Sequence, residues 1–241
     1  MKSIRWFRSL MFVLPIILAA GCAALQEDLA GVLAGAGSGS LDEATVIAGL
    51  KEALEVGTGN AVLSTSKLDG FLGNQLIRIA VPDQLQSAAS TLRTIGLGSQ
   101  VDELETGMNR AAELAAGEAR EIFWSAIKGM SVSDAFGILK GHDTAATEYF
   151  RGRTNEQLRE RFRPIVEQKI GQIGLSRGYG RISEAYNNFA PAGSEQLVDL
   201  DDYVTEKALG GLFTVLGQEE RKIRQDPAAR TTDLLKLVFG D

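Results

Sequence analysis

The residues best suited to chemistry lie in one stretch, Lys140-Gly141-His142-Asp143-Thr144-Ala145-Ala146-Thr147-Glu148-Tyr149-Phe150. His142 is the single histidine of the chain. An imidazole beside Asp143, with hydroxyls at Thr144 and Thr147, has the group types that acid–base chemistry uses near neutral pH. An enzyme built here would need Arg153, Arg230 or Asp201 brought to the same corner in space. The spacing itself favours a plainer role. Gly141 ends one helix and Asp143 or Thr144 caps the next. Adjacent residues on a turn rarely face one substrate, and no nucleophile is paired with His142 by spacing. No catalytic residue is assigned. His142, Asp143, Thr144, Thr147, Glu148, Tyr149 and Arg230 stand as a ligand or partner site, and an enzyme of unrecognised type is the alternative.

Other chemistries find less support. With one histidine and one cysteine, the usual zinc ligand sets are missing. So are the Glu-x-x-His pairs of di-iron bundles. The run Asp199-Leu200-Asp201-Asp202 lacks the glycine and twelfth-position glutamate of a calcium loop, and carboxylates suit a helix start without any metal. The 27 glycines form neither a phosphate loop nor a dinucleotide fingerprint. Gly-x-Ser-x-Gly does not occur. No metal and no cofactor is expected.

The clearest functional signal is at the other end. A basic start with Lys2, Arg5 and Arg8 precedes an apolar run over residues 11–20 and then Cys22, the one cysteine. That run is shorter than the ~20 residues that span a bilayer, and its order is that of an export signal. Leu18-Ala19-Ala20-Gly21-Cys22 resembles a bacterial lipoprotein cleavage site, although Ala19 stands where Leu is usual. The expectation is a signal peptide over 1–21, a lipid on Cys22, and anchoring to the membrane through that lipid. Ala23 after the cysteine resembles the outer-membrane default, which places the protein on the periplasmic face of the outer membrane. Cleavage nearby without lipid would leave it soluble in the periplasm.

Loss of residues 1–21 removes three basic residues and no acidic one, taking the formal net charge from −6 to −9. An acidic body does not suit nucleic acid or anionic lipid. Residues 23–40 end in Gly37-Ser38-Gly39-Ser40 and read as flexible tether. Eleven such residues reach about 20 Å on average.

From residue 41 to 241 the periodicity is helical and suits one domain. The pattern predicts a first helix from Asp42 interrupted at Gly57 and Gly59. Residues 64–82 are the least helical, with Ile77, Ile79 and Val81 alternating against Arg78 and Ala80. Helices are predicted over 83–95 and, longest of all, from 99 or 100 to about 128. Ser131 caps a short helix that Gly141 stops. Another runs to Gly152, and Thr154 with Gln157 has capping-box spacing for a helix over 155–173, kinked at Pro164. A Gly-rich break at 174–180, a weak helix over 182–189, and helices over 203–216 and 218–225 follow. Pro227 begins the last segment, in which Phe239 docks into the core. The sum is an all-α, single irregular helical bundle of about nine helices, carried after a signal peptide and tether.

Several blocks in one order resemble the domain-of-unknown-function family 4197: Gly49-Leu50-Lys51-Glu52-Ala53-Leu54, Asn109-Arg110-Ala111-Ala112-Glu113, residues 141–150, Phe162-Arg163-Pro164-Ile165-Val166, residues 203–209, Gly211-Leu212-Phe213 and residues 230–240. The resemblance covers nearly all of 41–240. It implies an exported bacterial protein of one domain, with no assigned activity and no catalytic residues. It also implies that His142 stands where the family commonly has another polar or small residue. The functional expectation is a non-enzymatic envelope lipoprotein that binds a protein partner or an apolar ligand.

Overall fold

In the computed structural model the described residues are 42–172 and 199–230, with positions 179, 186, 232, 233, 236 and 238. They hold seven α-helices: α1 Glu43–Ser66, α2 Gln86–Thr94, α3 Gly98–Ala116, α4 Ala119–Lys128, α5 Val132–Leu139, α6 Ala145–Gln172 and α7 Leu200–Gln225. Short 3-10 turns sit at Asp83–Leu85 and Pro227–Ala229. No strand occurs among the described residues. The all-α class stands, and over the described residues the helices are fewer and longer than the predicted segments there.

The reason is visible in the buried stripes. In α1 the buried positions Leu50, Ala53, Leu54, Gly57, Thr58, Ala61, Val62 and Thr65 keep three-to-four spacing straight through the glycines. Packing of that stripe offsets the weak helix propensity of glycine, so the predicted interruption does not occur. In α6 the buried residues Phe150, Thr154, Leu158, Phe162, Val166 and Ile170 fall four apart. Thr154 therefore belongs to the stripe and is no cap. Its hydroxyl donates back to Phe150 O at 2.7 Å, the alternative use of a mid-helix threonine. The two helices predicted on either side of residues 152–155 are one, and Pro164, on the exposed side, does not end it. Likewise α7 runs through Gly217, which is buried against Thr144 and Thr147.

One predicted helix divides instead. The stretch expected to run from 99 or 100 to 128 breaks at Gly117–Glu118, where Glu118 N–H donates to Ala115 O at 3.0 Å in a tight turn. α4 then leaves α3 to pack against α1 and α6. The cap at Ser131 is as read, with a reciprocal bond between its hydroxyl and Asp134. Asp199 caps α7 by accepting from Asp201 N and Asp202 N.

α7 is the central helix, since α1, α3 and α6 all pack on it. Phe123, Phe150 and Phe213 meet edge to face in the core, at centroid distances of 5.2 and 6.1 Å from Phe123, the geometry that ring quadrupoles favour. Gly211 is required where Phe71 crosses α7. A Cβ there would lie 2.5 Å from Phe71 Cε1. The helices from Glu43 onward form one compact unit, and no described helix is long and apolar enough to cross a membrane.

Gly152 is a position where propensity is unopposed. It lies inside α6, is exposed, and has nothing within 4 Å of an added Cβ. Gly152→Ala is expected to stabilise the domain by about 1 kcal/mol. Thermal unfolding should show a midpoint raised by about 2–4 °C for a chain of this size.

The signal over 1–21, Cys22, the tether to residue 40 and Phe239 lie outside the described residues, as does the Gly-rich break at 174–180 apart from position 179, which is helical. So does the weak helix over 182–189, apart from position 186, which is helical.

Candidate functional site

The corner between α5 and α6 is assembled by helix ends. α5 stops at Leu139, and Gly141 lets the chain fold back; a Cβ at Gly141 would lie 2.5 Å from Ala145 Cβ. His142 O accepts from Ala145 N at 3.0 Å as α6 begins. His142 Nδ1 accepts from Thr144 N at 3.3 Å, which leaves Nε2 as the protonated nitrogen of the neutral ring. That nitrogen faces Glu148 Oε2 at 3.3 Å, with both side chains more than 60% exposed. A pair so open to water contributes little to stability. Asp143 Oδ2 accepts from Gln225 Nε2 at 2.8 Å and ties the corner to the end of α7.

Thr147 points the other way, into the protein, where it meets a group that sequence reading missed. Glu220 on α7 is 8% exposed. Its Oε1 accepts from Ala146 N at 2.9 Å and from Arg224 Nε and Nη2 at 3.1 and 2.9 Å. Its Oε2 accepts from Thr147 N at 2.9 Å and Thr147 Oγ1 at 2.8 Å. Arg224 Nη2 also donates to Ile138 O, the carbonyl end of α5, at 2.8 Å. One buried ion pair therefore closes the end of α5 and the start of α6, satisfying N–H groups that have no helical partner. A carboxylate at that end also opposes the positive pole of the α6 dipole. The sequence Glu219-Glu220-Arg221-Lys222-Ile223-Arg224 reads as a solvated, self-paired helix face. The i, i+4 spacing of Glu220 and Arg224 held the signal, but nothing in it marked that pair as buried.

The remaining candidates are spent or distant. Arg230 donates to Ile223 O at 3.2 Å and Arg224 O at 3.0 Å, capping α7. Tyr149 is half-buried against Phe150, and burial, then the charge of Asp134, pushes its phenol pKa up. Arg153 is exposed on α6 and acts on Tyr149 only through its charge. Asp201 lies near the start of α7, about 28 Å along the helix from Glu220 at 1.5 Å per residue. Its carboxyl pKa is raised by burial first, then by Asp199 and Glu167. Among the described residues no three His, Cys, Asp or Glu side chains are placed to hold a metal ion.

A second polar system lies on α3. Glu105, Asn109 and Glu113, four apart on one face, hold the non-helical segment 69–81. Asn109 Oδ1 accepts from Ile79 N at 2.9 Å while its Nδ2 donates to Ile79 O at 2.8 Å. One side chain thus does for Ile79 what a neighbouring strand would do. Ile77, Ile79 and Val81 are buried and Arg78 and Ala80 exposed, as their alternation predicts. Glu113 Oε1 accepts from Phe71 N and Leu72 N at 3.1 and 3.3 Å, and Arg110 bridges Glu113 and Asp69. The block Asn109-Arg110-Ala111-Ala112-Glu113 is a clamp.

Three recesses mark the surface and core, the widest an open, charged one of about 600 Å³ lined by Glu118, Arg120, Glu121, Glu160 and Arg161 of α4 and α6 and the turn before α4. The void between α1 and α7, lined by Leu50, Leu54, Thr58, Leu216 and Ile223, has about 30 Å³, room for a water and not for a lipid chain. A shallow recess of about 150 Å³ opens between α1 and α4, lined by Glu55, Thr58, Gly59, Arg120, Trp124 and Ile127.

Fold and corner together define an all-α domain whose interior carboxylates serve helix ends and a strapped loop. Residues 40–240 match the family described as Protein of unknown function (DUF4197), and the chain belongs to that family. No curated protein and no solved structure was found to match it.

Proposed function

We propose that this chain is a lipid-anchored, non-catalytic binding module of the bacterial cell envelope, facing the periplasm from the outer membrane. The observation that carries the non-catalytic half is the fate of the corner. Thr147 and Arg230 serve helix ends, Asp143 ties the corner to Gln225, and His142 pairs with Glu148 in open water. The anchored half rests on the order Leu18-Ala19-Ala20-Gly21-Cys22 behind a basic, apolar leader.

Binding then falls to the surface, since the interior void has only about 30 Å³. The module presents its outer grooves to a small ligand or a protein partner, and an apolar ligand would have to lie on the outside. Changing Cys22 to Ala is expected to release the protein from membranes and to block lipoprotein processing. Fractionation of cells expressing the variant checks this; membrane retention equal to that of the unaltered chain overturns the anchor.

A further inference from the structure

The recess between α1 and α4 combines an exposed indole with two opposite charges over an apolar floor. Its floor is Ile127, 1% exposed, and the backbone at Gly59, where nothing lies within 4 Å of an added Cβ. One wall is the indole of Trp124, 43% exposed. The ring is held in place: Nε1 donates to Glu55 Oε1 at 3.1 Å, and Lys128 Nζ sits 3.9 Å from the ring centroid. Two opposite charges line the same recess. Glu55 uses one oxygen for the indole and has its other oxygen without a hydrogen bond to any described residue. Arg120, one helical turn before Trp124, is exposed between this recess and the wider one beside α6, and it makes no hydrogen bond or ion pair with Glu55 or any other described residue.

We propose that this recess binds a zwitterionic α-amino acid with an apolar side chain. The inference rests on the reading of the chain as a binding module and names the ligand class. Arg120 would take the carboxylate, because a guanidinium fork matches its two oxygens. The free oxygen of Glu55 takes the ammonium. The side chain lies on Ile127 and the indole, an apolar body between polar ends as small-ligand sites require. Size agrees with the chemistry. A volume of about 150 Å³ matches a group on the order of benzene, the size of one apolar side chain.

Trp6 and Trp124 are the two tryptophans, so the full chain carrying Trp6→Phe reports on this recess alone. The experiment titrates it with L-leucine, N-acetyl-L-leucine and L-leucinamide while following indole emission. L-leucine is expected to give a saturable shift, and each blocked analogue to bind about tenfold more weakly or worse, the cost of one charged hydrogen-bonding partner. Arg120→Gln should weaken L-leucine by a similar factor and leave L-leucinamide unchanged. Glu55→Gln, which keeps an acceptor for Nε1, should do the same for the ammonium and spare N-acetyl-L-leucine. No saturable shift, an equal response to all three probes, or full leucine affinity in Arg120→Gln overturns the proposal. Those outcomes leave Cys22-dependent membrane retention untouched, so the ligand and the anchored module fail separately.

Discussion

Glu220→Ala is expected to cost about 3–5 kcal/mol of folding stability, the usual loss when one partner of a buried charge pair is removed. The substitution strands several groups at once. Ala146 N, Thr147 N and Thr147 Oγ1 lose their acceptor inside the protein. Arg224, whose side chain is 12% exposed, keeps its charge and loses its counter-ion. Each stranded donor costs about 1–3 kcal/mol by itself, and these share one network, so the costs do not simply add. In a chain of this length the thermal midpoint should fall by about 10 °C. Glu220→Ala with Arg224→Ala should cost less than the sum of the two, because the double change leaves no unpaired buried charge. Urea unfolding of the two single variants and the double variant measures the coupling. A loss under about 1 kcal/mol for Glu220→Ala would mean that the carboxylate does not close the corner.

Asn109→Ala carries the second large effect, about 3 kcal/mol, from a different mechanism. It leaves the N–H and C=O of Ile79 buried and unpaired, each at about 1–3 kcal/mol, in a segment with no neighbouring strand to take them. Asn109→Asp keeps the acceptor for Ile79 N but cannot donate to Ile79 O or Glu105 O, and it buries a charge at a position that is 0% exposed. It should be no better than alanine. Hydrogen exchange gives the local reading: the Ile79 amide should lose protection in both variants before the helices do. If Ile79 keeps its protection, the clamp is not what holds the segment.

These two side chains also mark the limit of sequence reading. Both sit in helices whose existence was plain from periodicity, and Asn109 sits in a block that resembles the family. Glu220 and Arg224, four apart, read as one more surface pair because a lone helix offers no way to tell a solvated face from one covered by α6. The caps fared better. Ser131, and Asp199 of the two aspartates (199 or 201) able to open α7, act within one turn of chain, whereas Thr154, whose spacing reads as a cap, lies inside α6. The alternation at Ile77, Ile79 and Val81 was legible too, though not that a helix side chain would stand in for the missing strand.

Boundaries went wrong where tertiary packing overrode a local signal. Glycine at 57, 59, 152 and 217 and threonine at 154 are poor helix interior residues, and each suggests a stop. Each was carried through because the buried stripe continues past it, and burial of that stripe outweighs about 1 kcal/mol of propensity. The opposite error, one helix predicted across Gly117–Glu118, arose because the apolar spacing of α3 and α4 stays in phase. Only the need to pack α4 on both α1 and α6 decided the turn.

By itself, then, the sequence determined the helical class, the cap at Ser131, the acidic balance and the order of residues around Cys22, because these depend on neighbours along the chain. The tertiary structure decided which polar residues are interior. Glu220 and Glu113 became helix-end and loop partners, and Trp124 became the wall of a recess. The physical reason is that burial and pairing are set by what another helix covers. Residues more than seventy positions apart, such as Thr147 and Glu220, meet only once α7 has taken its place at the centre.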